Sequence, residues 1–181
     1  MPSRRSDPSV RSTAAERREA LVAAAVRAFA RTGLHGTAVS TITREVGITQ
    51  PYAFSLFGTK KDLFLAAVEH GFDHVDETFR RAAEGAPEGE ELETMGHAYV
   101  GLLADREWLL CQLQAYAACD DDEVRRVVRR RYVALYRTVA ELSGADRQRL
   151  RDFFKTGMML NVAAAMDLPI LDEDDAWLDD A

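Results

Sequence analysis

The sequence has little of what marks disulfide-linked, membrane-spanning or β-sheet proteins. Its two cysteines, Cys111 and Cys119, are eight residues apart in a helical-looking segment. That spacing corresponds to about 12 Å along a helix, which is too far for a disulfide. The longest apolar run, ALVAAAV, is much shorter than a membrane-spanning helix. No segment alternates apolar and polar residues as a half-buried strand does, so we expect an all-α protein.

The N-terminus has no apolar segment of signal-peptide length. Its first residues, MPSRRSDPSVRS, are polar and include Arg4, Arg5 and Arg11. Free thiols are typical of a reducing compartment. We therefore expect a cytoplasmic protein that does not associate with membranes.

The motifs of common enzyme classes are missing as well. The chain has no glycine-rich phosphate loop, nucleophile elbow or regularly spaced zinc ligands, so we expect neither catalytic residues nor a cofactor. His70 and His74 are four residues apart, with Asp73, Glu69 and His97 as further candidate metal ligands. Two partly exposed helix histidines are the simpler interpretation, and a metal-responsive protein stays as an alternative.

Charge is distributed unevenly along the chain. The net charge is −7, yet residues 1–70 carry ten Lys/Arg and six Asp/Glu, a net of +4. Residues 71–181 carry thirteen and twenty-four, a net of −11. Apart from ordinary scatter, this asymmetry indicates a basic functional head on an acidic body.

Helical periodicity accounts for nearly the whole chain. It predicts a first helix from about Ala14 to Thr32, introduced by a capping box of Thr13 and Glu16 and ended by Gly33. Further helices are predicted over residues 39–46 (with Thr37 as its cap), 50–57, 60–83, 91–105, 106–119, 121–143 and 146–166.

The stretch EGAPEGE at residues 84–90 is the clearest linker, because its glycines and proline break a helix. We expect a flexible basic arm over 1–13 and a helix-turn-helix domain over 14–58. A connecting helix over 59–83 then leads to an effector-binding and dimerisation domain over 84–181.

The stretch EVGITQPYAF contains the most informative feature of the sequence. Gly47 interrupts a helical pattern and can adopt a positive φ, while Ile48 is expected to pack into the core. Thr49 is a suitable cap for a new helix, with Pro51 in its first turn. Two short helices joined by such a turn form a helix-turn-helix, whose second helix presents its N-terminal residues to the DNA major groove.

The flanking residues make this interpretation specific. Ala28-Phe29 precedes Gly33, Gly36-Thr37 and Ile42 precede Gly47-Ile48-Thr49, and Tyr52, Phe54 and Phe57 precede Lys60-Lys61-Asp62-Leu63-Phe64. With these pieces, residues 14 to 70 resemble the DNA-binding domain of the tetracycline-repressor (TetR/AcrR) family of transcriptional regulators. The chain departs from the family pattern at Thr43 and Val46, where alanine is usual. We expect Thr43 to bond back to the carbonyl four residues earlier.

The resemblance implies that five residues contact DNA: Thr37, Thr49, Gln50, Tyr52 and Lys60. Gln50 has the donor and acceptor that read an adenine edge, and Lys60 lies at a helix N-terminus suited to a phosphate. Core packing of Tyr52 and a solvated Lys60 are the alternatives. Phe54 and Phe57 are expected to pack inside, and the small core is assigned to Phe29, Ile42, Val46, Ile48, Leu56 and Leu63. The arginines of the arm either enter a minor groove or make no contact.

The remaining helices are expected to dimerise and to bind a small molecule. Family members pair through their last two long helices, and here Phe153, Phe154, Gly157, Met158, Asn161 and Ala164 lie on or near one face. Met95, Tyr99, Leu103, Trp108, Gln112, Tyr116, Tyr132 and Tyr136 are the candidates for an effector pocket. Intramolecular core is the alternative for both sets.

The resemblance thus implies a homodimeric repressor of double-stranded DNA, released from a palindromic operator by a small apolar or aromatic effector. A helical structural protein without a DNA role is the other alternative. The run RRVVRRR, with Arg125, Arg126, Arg129 and Arg130, is interpreted as a solvated face paired with nearby acids rather than as a second DNA contact.

Overall fold

The computed structural model describes residues 13–168, and this part of the chain is entirely helical, which confirms the all-α prediction. The predicted arm with Arg4, Arg5 and Arg11 and the acidic tail with Trp177 lie outside the described residues. The helices are α1 (Ala14–Gly36), α2 (Val39–Val46), α3 (Gln50–Phe57), α4 (Lys60–Glu84), α5 (Glu91–Leu102), α6 (Arg106–Ala117), α7 (Asp122–Ser143) and α8 (Arg147–Ala165). We call residues 14–58 the head and residues 84–168 the body.

Side-chain caps define where most helices begin. At the start of α1 the Glu16 amide donates to Thr13 Oγ1 (3.2 Å) and the Thr13 amide donates to Glu16 Oε2 (2.7 Å), which completes the expected capping box. Thr59 and Asp62 form a second box at the start of α4, with N–O distances of 2.9 and 3.1 Å. Aspartate side chains cap α6, α7 and α8. The beginnings of these helices therefore follow from residues within one turn of the cap.

Helix α1 is interrupted at Gly33, as the sequence indicates, but one more turn follows as far as Gly36. Gly33 has φ 63° and ψ −174°, a combination that is accessible almost only to glycine. Thr37 belongs to this end of α1 and does not cap α2 as predicted. Its hydroxyl donates to the Gly33 carbonyl (2.7 Å), whereas α2 begins after Ala38 without a side-chain cap. The Thr37 hydroxyl, which was predicted to cap α2, therefore bonds to the carbonyl at the break in α1 instead.

The corner between α2 and α3 has the expected left-handed conformation at Gly47, with φ 71° and ψ 33°. The amide of Gly47 donates to the Arg44 carbonyl (3.3 Å) and that of Ile48 to the Thr43 carbonyl (3.0 Å). These bonds satisfy carbonyls that the end of α2 would otherwise leave open. Thr49 then caps α3 by accepting from the Tyr52 amide (3.4 Å).

One detail of α2 differs from the expectation. The Thr43 hydroxyl donates to the carbonyl of Ser40, three residues earlier, at 3.3 Å, and not to the carbonyl four residues earlier. Thr43 is 3% exposed, so its side chain is buried within the head.

The core is continuous from the head into the body. In the head, Phe29 and Ile42 are fully buried and Leu63 is 2% exposed, while Phe29 meets Phe64 edge-on with ring centroids 4.9 Å apart. Val46, Ile48 and Leu56 are half-buried against this core. Helix α4 extends it through Phe72, Val75 and Phe79 to α5–α8. Among residues 13–168, no helix combines the length and hydrophobicity needed to cross a membrane.

Helix α6 connects the body to the head through α1. A Cβ at Gly33 would lie 2.5 Å from Gln114 Oε1, so the Gln114 side chain rests directly on the break in α1. Arg31 and Glu107 add a charged contact of 3.8 Å between the same helices. The break in α1 thus creates the space into which α6 places a side chain.

Ion pairs fix α7 against α4. Arg131 Nε lies 3.1 Å from Glu69 Oε2, and Arg130 and Arg131 also pair with Glu69 and Asp73. Lys61 Nζ lies 2.7 Å from Glu123 Oε2, and its hydrogen bonds to Glu123 and then Asp121 raise the pKa of the lysine. The arginine run is therefore paired in part, as expected, although most of its partners lie on α4 rather than immediately upstream.

Two glycine-to-alanine substitutions should have opposite effects on stability, one at the left-handed corner and one within a helix. Gly47→Ala should lower the free energy of unfolding by about 1 kcal/mol, because a Cβ disfavours positive φ although nothing lies within 4 Å of its position. Gly101→Ala, at an open position inside α5, should raise it by about 0.5 kcal/mol. Urea unfolding followed by circular dichroism measures both. A neutral or stabilising Gly47→Ala would contradict the role assigned to the corner.

Candidate DNA-binding surface and body cavity

The start of α3 presents a mixed polar and aromatic face. Thr49, Gln50 and Ser55 are exposed. Phe54 is 39% exposed, which corrects the expectation that it packs inside as Phe57 does at 8%. An exposed aromatic ring beside a glutamine suits a thymine methyl group next to an adenine edge.

Tyr52 is half-buried and lies beside α1. The Arg17 guanidinium carbon is 5.6 Å from the centre of the Tyr52 ring, a cation–π distance. The tyrosine therefore joins α3 to α1 while part of the side chain stays exposed.

The side chains of Thr37 and Lys60 both make hydrogen bonds within the protein. Thr37 is 5% exposed and its hydroxyl contacts Gly33 and Thr32, so its placement does not support a side-chain contact with DNA. Lys60 Nζ donates to the carbonyls of His35 (3.1 Å) and Thr37 (3.2 Å). Lysine has three N–H donors, so one remains for an outside acceptor. Lys60 thus fastens α4 to the end of α1 at the edge of the same surface.

Basic residues that were not predicted from the sequence also border this surface. Arg44 is exposed in the last turn of α2, next to the corner. Arg18 lies over Phe57, with its guanidinium carbon 4.1 Å from the ring centre, and donates to the Leu56 carbonyl (3.2 Å). Arg17 and Arg18 are adjacent in α1, and only the crossing of α1 and α3 shows that both reach α3. The signal available in the sequence was a basic pair one turn after the cap of α1.

A partly open cavity of about 530 Å³ lies between α4 and helices α5, α6, α7 and α8 of the body. Five of the eight predicted pocket residues line it: Tyr99, Trp108, Gln112, Tyr116 and Tyr132. The other three are corrected, since they lie outside the wall. Met95 is fully buried in the core, Leu103 is half-buried, and Tyr136 packs its ring on Phe154 at 5.0 Å. Helix periodicity predicts which face of a helix is buried, but not which residues of that face line a cavity and which pack in the core.

The residues predicted for the dimer interface are also part of this wall. Phe153, Phe154, Gly157, Met158 and Asn161 line the cavity, and Ala164 packs against the core. This placement supports the alternative that the stripe belongs to the interior of one chain. Phe72, Val75 and Phe79 of α4 also line the cavity. They were not predicted to do so, because their apolar spacing is that of any core helix.

A hydrogen-bond network crosses the cavity wall from α8 to α6. Tyr99 donates to Asn161 Oδ1 (2.7 Å), and Gln112 Nε2 donates to the hydroxyls of Tyr116 (2.9 Å) and Tyr99 (3.4 Å). Burial raises the pKa of Tyr99 and of Tyr116, so both phenols stay protonated at physiological pH. The network is neutral throughout.

Cys111 also lines the cavity and is 4% exposed. Burial raises the pKa of its thiol to about 12. The thiol is therefore protonated at neutral pH and is a poor nucleophile.

The histidine pair shows no metal site. Among residues 13–168, no three His, Cys, Asp or Glu side chains come together in a way that could hold a metal ion. The His74 ring instead meets Trp108 edge-on, with centroids 6.5 Å apart. Glu69 and Asp73, the proposed further ligands, pair with arginines of α7.

Comparisons with known proteins agree with this architecture. Residues 21–67 match the model of the tetR family of bacterial regulatory proteins. No curated protein matches the chain. A TetR-family transcriptional regulator from Streptomyces coelicolor is 22% identical with a TM-score of 0.67, over 84% of this chain and 79% of that one. A TetR-like transcriptional regulator from Rhodococcus sp. RHA1 is 19% identical with a TM-score of 0.68, over 86% and 85%.

The fatty acid degradation regulator FadR from Bacillus halodurans is 18% identical with a TM-score of 0.69, over 82% of this chain and 88% of that one. At these identities the solved structures show a common fold. The chain therefore carries the helix-turn-helix segment of the tetR family of bacterial regulatory proteins, within the fold of solved transcriptional regulators of that kind.

Proposed function

We propose that the protein is a homodimeric transcriptional repressor that leaves a palindromic operator when a small, mostly apolar effector occupies the body cavity. The division follows the expected domains, with residues 14–58 reading DNA, 59–83 connecting, and the part from 84 onward binding the effector and the second subunit. Like other regulators of bacterial genes, it would act in the cytoplasm.

The observation that carries this proposal is the position of α6. One face of α6 supplies Trp108, Gln112 and Tyr116 to the cavity wall. Gln114, between them in sequence, rests on Gly33 of α1 in the head. A ligand that shifts α6 therefore acts on the helix that supports the DNA-binding surface, and a ligand can change DNA affinity only through such a difference between states.

The exposed apolar side chains support a dimer. Of the large hydrophobic residues that are exposed within residues 13–168, one is Phe54, on the proposed DNA surface. The others lie on α7 and α8: Val133 (40%), Met159 (53%), Val162 (48%) and Met166 (58%). Met159, Val162 and Met166 follow one another at helical spacing on the side of α8 away from the cavity. We assign the subunit interface to this stripe, in place of the wall residues first considered.

The proposal is tested by selecting bound genomic fragments with the purified full-length protein at low salt. We expect one enriched palindrome, because a two-fold dimer places its reading heads about 34–36 Å apart, one turn of DNA. If no sequence is enriched over input, the regulator function is wrong.

Gln50→Ala should alter base preference. We expect a loss of about 1–3 kcal/mol at one base pair in each half-site, because Gln50 is exposed at the start of α3 and can make a bidentate contact with adenine. Binding to a library of single-base operator variants measures the change. Gln148→Ala, an exposed glutamine of α8, is the matched control and should leave the preference profile as it is. An unchanged profile for Gln50→Ala would remove this residue from base readout.

Lys60→Ala should weaken binding to all duplexes alike. The loss of one phosphate contact should reduce the slope of log K against log salt by about one. Fluorescence anisotropy at several salt concentrations measures this slope for the operator and for a scrambled duplex. Lys155→Ala, an exposed lysine of α8, is the control. A slope equal to that of the control would show that Lys60 acts only inside the protein, through His35 and Thr37.

Met159→Glu with Val162→Glu should dissociate the dimer. Burying two carboxylates at an apolar interface is unfavourable, so we expect the dimer Kd to rise at least about tenfold and operator affinity to fall with it. Analytical ultracentrifugation measures the first effect and anisotropy the second. Ala104→Glu, an exposed position between α5 and α6, should change neither. An intact dimer after both substitutions would place the interface elsewhere.

A further inference from the structure

The walls of the body cavity are apolar and rich in aromatic rings. Eight Phe, Tyr and Trp side chains line it: Phe72, Phe79, Tyr99, Trp108, Tyr116, Tyr132, Phe153 and Phe154. Phe79 meets both Tyr99 and Phe153 at ring-centroid distances of 5.8 and 5.7 Å, and Tyr99 meets Trp108 edge-on at 6.1 Å. Such surfaces favour flat or cyclic apolar molecules, which gain dispersion contacts with ring faces and edges.

Charge is confined to the exposed edge of this cavity. Among the described lining residues, the charged side chains are Glu93, Arg149 and Asp152, and all three are exposed. Two are acidic and one is basic, and the exposed His97 also lines this edge. The edge therefore carries no net positive charge even when that histidine is protonated, and it does not attract anions. A carboxylate carried to the interior would lose its hydration without meeting a cation, which is strongly unfavourable.

The neutral network inside the cavity retains one unused donor and one unused acceptor. The single Tyr99 proton is directed at Asn161 Oδ1 (2.7 Å), so the 3.5 Å approach of Tyr99 to Gln112 Oε1 leaves that oxygen without a strong donor. Gln112 Nε2 gives its two protons to the hydroxyls of Tyr116 and Tyr99. Tyr116 accepts one of these bonds, and its own proton has no acceptor among residues 13–168.

If the nitrogen and oxygen of the Gln112 amide are exchanged, one hydrogen-bond donor and one acceptor still remain unused. Tyr116 would then donate to the amide oxygen and keep a free lone pair, while the amide nitrogen would keep one free proton. The Gln112–Tyr116 pair therefore offers a neighbouring donor and acceptor in either orientation. Both side chains line the cavity and are half-buried.

Trp108 provides a second, independent polar group on the same wall. The residue is 6% exposed, and its indole N–H has no hydrogen-bond partner within residues 13–168. The nitrogen faces Gly71, where a Cβ would lie only 3.4 Å away. A buried donor without an acceptor costs about 1–3 kcal/mol. Because this nitrogen has almost no accessible surface, the contact with a bound molecule is assigned to Gln112 and Tyr116.

We propose that the cavity takes a neutral, ring-containing, largely apolar molecule with one hydroxyl or lactam-type amide, and that Gln112 and Tyr116 hold this group. A hydroxyl or a lactam presents a donor and an acceptor side by side, as the pair requires. Tyr99 and Asn161 position Gln112 for this contact. The inference rests on the proposed function only in treating the cavity as the effector site.

Four probes of one skeleton test this assignment: 9-phenanthrol, 9-methoxyphenanthrene, phenanthrene and phenanthrene-9-carboxylate. Quenching of Trp108 emission reports binding, in a full-length Trp177→Phe background that leaves one tryptophan. We expect the phenol to bind about three- to tenfold more tightly than its methyl ether, which cannot donate. It should bind more than about tenfold more tightly than the carboxylate.

Two variants identify the residues. Gln112→Leu and Tyr116→Phe should each bring the phenol-to-ether ratio to within about twofold and leave phenanthrene binding unchanged or improved. Tyr136→Phe is the same chemical change outside the cavity wall and should preserve the ratio. The melting temperature of each variant is measured first, and either variant alone suffices if the other does not fold.

Equal or tighter binding of the carboxylate, a ratio that persists in both variants, or no quenching by any probe would each overturn the assignment. Operator binding is measured on the same samples. If the phenol binds and the DNA complex persists, effector release is wrong and the ligand class stands. If the carboxylate binds as tightly and releases DNA, the ligand class is wrong and the regulator function stands.

Discussion

The left-handed corner at Gly47 is the constraint on which the DNA-binding surface depends. Helices α2 and α3 have eight residues each, too few to persist alone in water. The amides of Gly47 and Ile48 cap the C-terminus of α2, and the Thr49 side chain caps the N-terminus of α3 immediately afterwards. Nothing lies near the position of a Gly47 Cβ, so glycine is needed there for its conformation and not for space. The left-handed residue, its hydrogen bonds and the packing of Ile48 against the core together set the direction of α3.

Helix α1 connects the short helices of the head to the rest of the molecule. Its break at Gly33 admits Gln114 of α6, and its last carbonyls receive Lys60 at the start of α4. Lys61, the next residue, pairs with Glu123 at the start of α7. Helices α6 and α4 therefore reach the head through contacts within a few residues of one another, and α7 contacts α4 at the next residue. Because α6 contacts α1 and α1 packs against α3, a displacement of α6 would act on α3 through a single intervening helix.

Features that depend on neighbours in sequence were predictable, and features that depend on the tertiary partner were not. The capping boxes, the Gly47 corner and the bounds of α2 and α3 involve residues within about one turn, so local chemistry determines them. The role of Thr37 depends on the unexpected extra turn of α1. Helix α8 has two apolar stripes, one lining the cavity and one exposed, and periodicity alone does not distinguish a stripe that lines a cavity from one that stays exposed. For the same reason the contribution of α4 to the cavity was missed, since a wall residue and a core residue have the same spacing.

The cavity is maintained at a cost in helix stability. Gly71, Gly96 and Gly157 lie inside α4, α5 and α8 and line the cavity. Each glycine within a helix is destabilising by roughly 0.5–1 kcal/mol relative to alanine. A Cβ at Gly96 or Gly157 would lie 3.6 or 3.7 Å from Phe153 or Tyr99, which is ordinary contact, so close packing does not require glycine at either position. Alanine at these sites would gain helix stability and fill part of the space. Three glycines in one cavity wall are thus better explained by the need for volume than by the need for a stable core, and that need is the one a ligand site imposes.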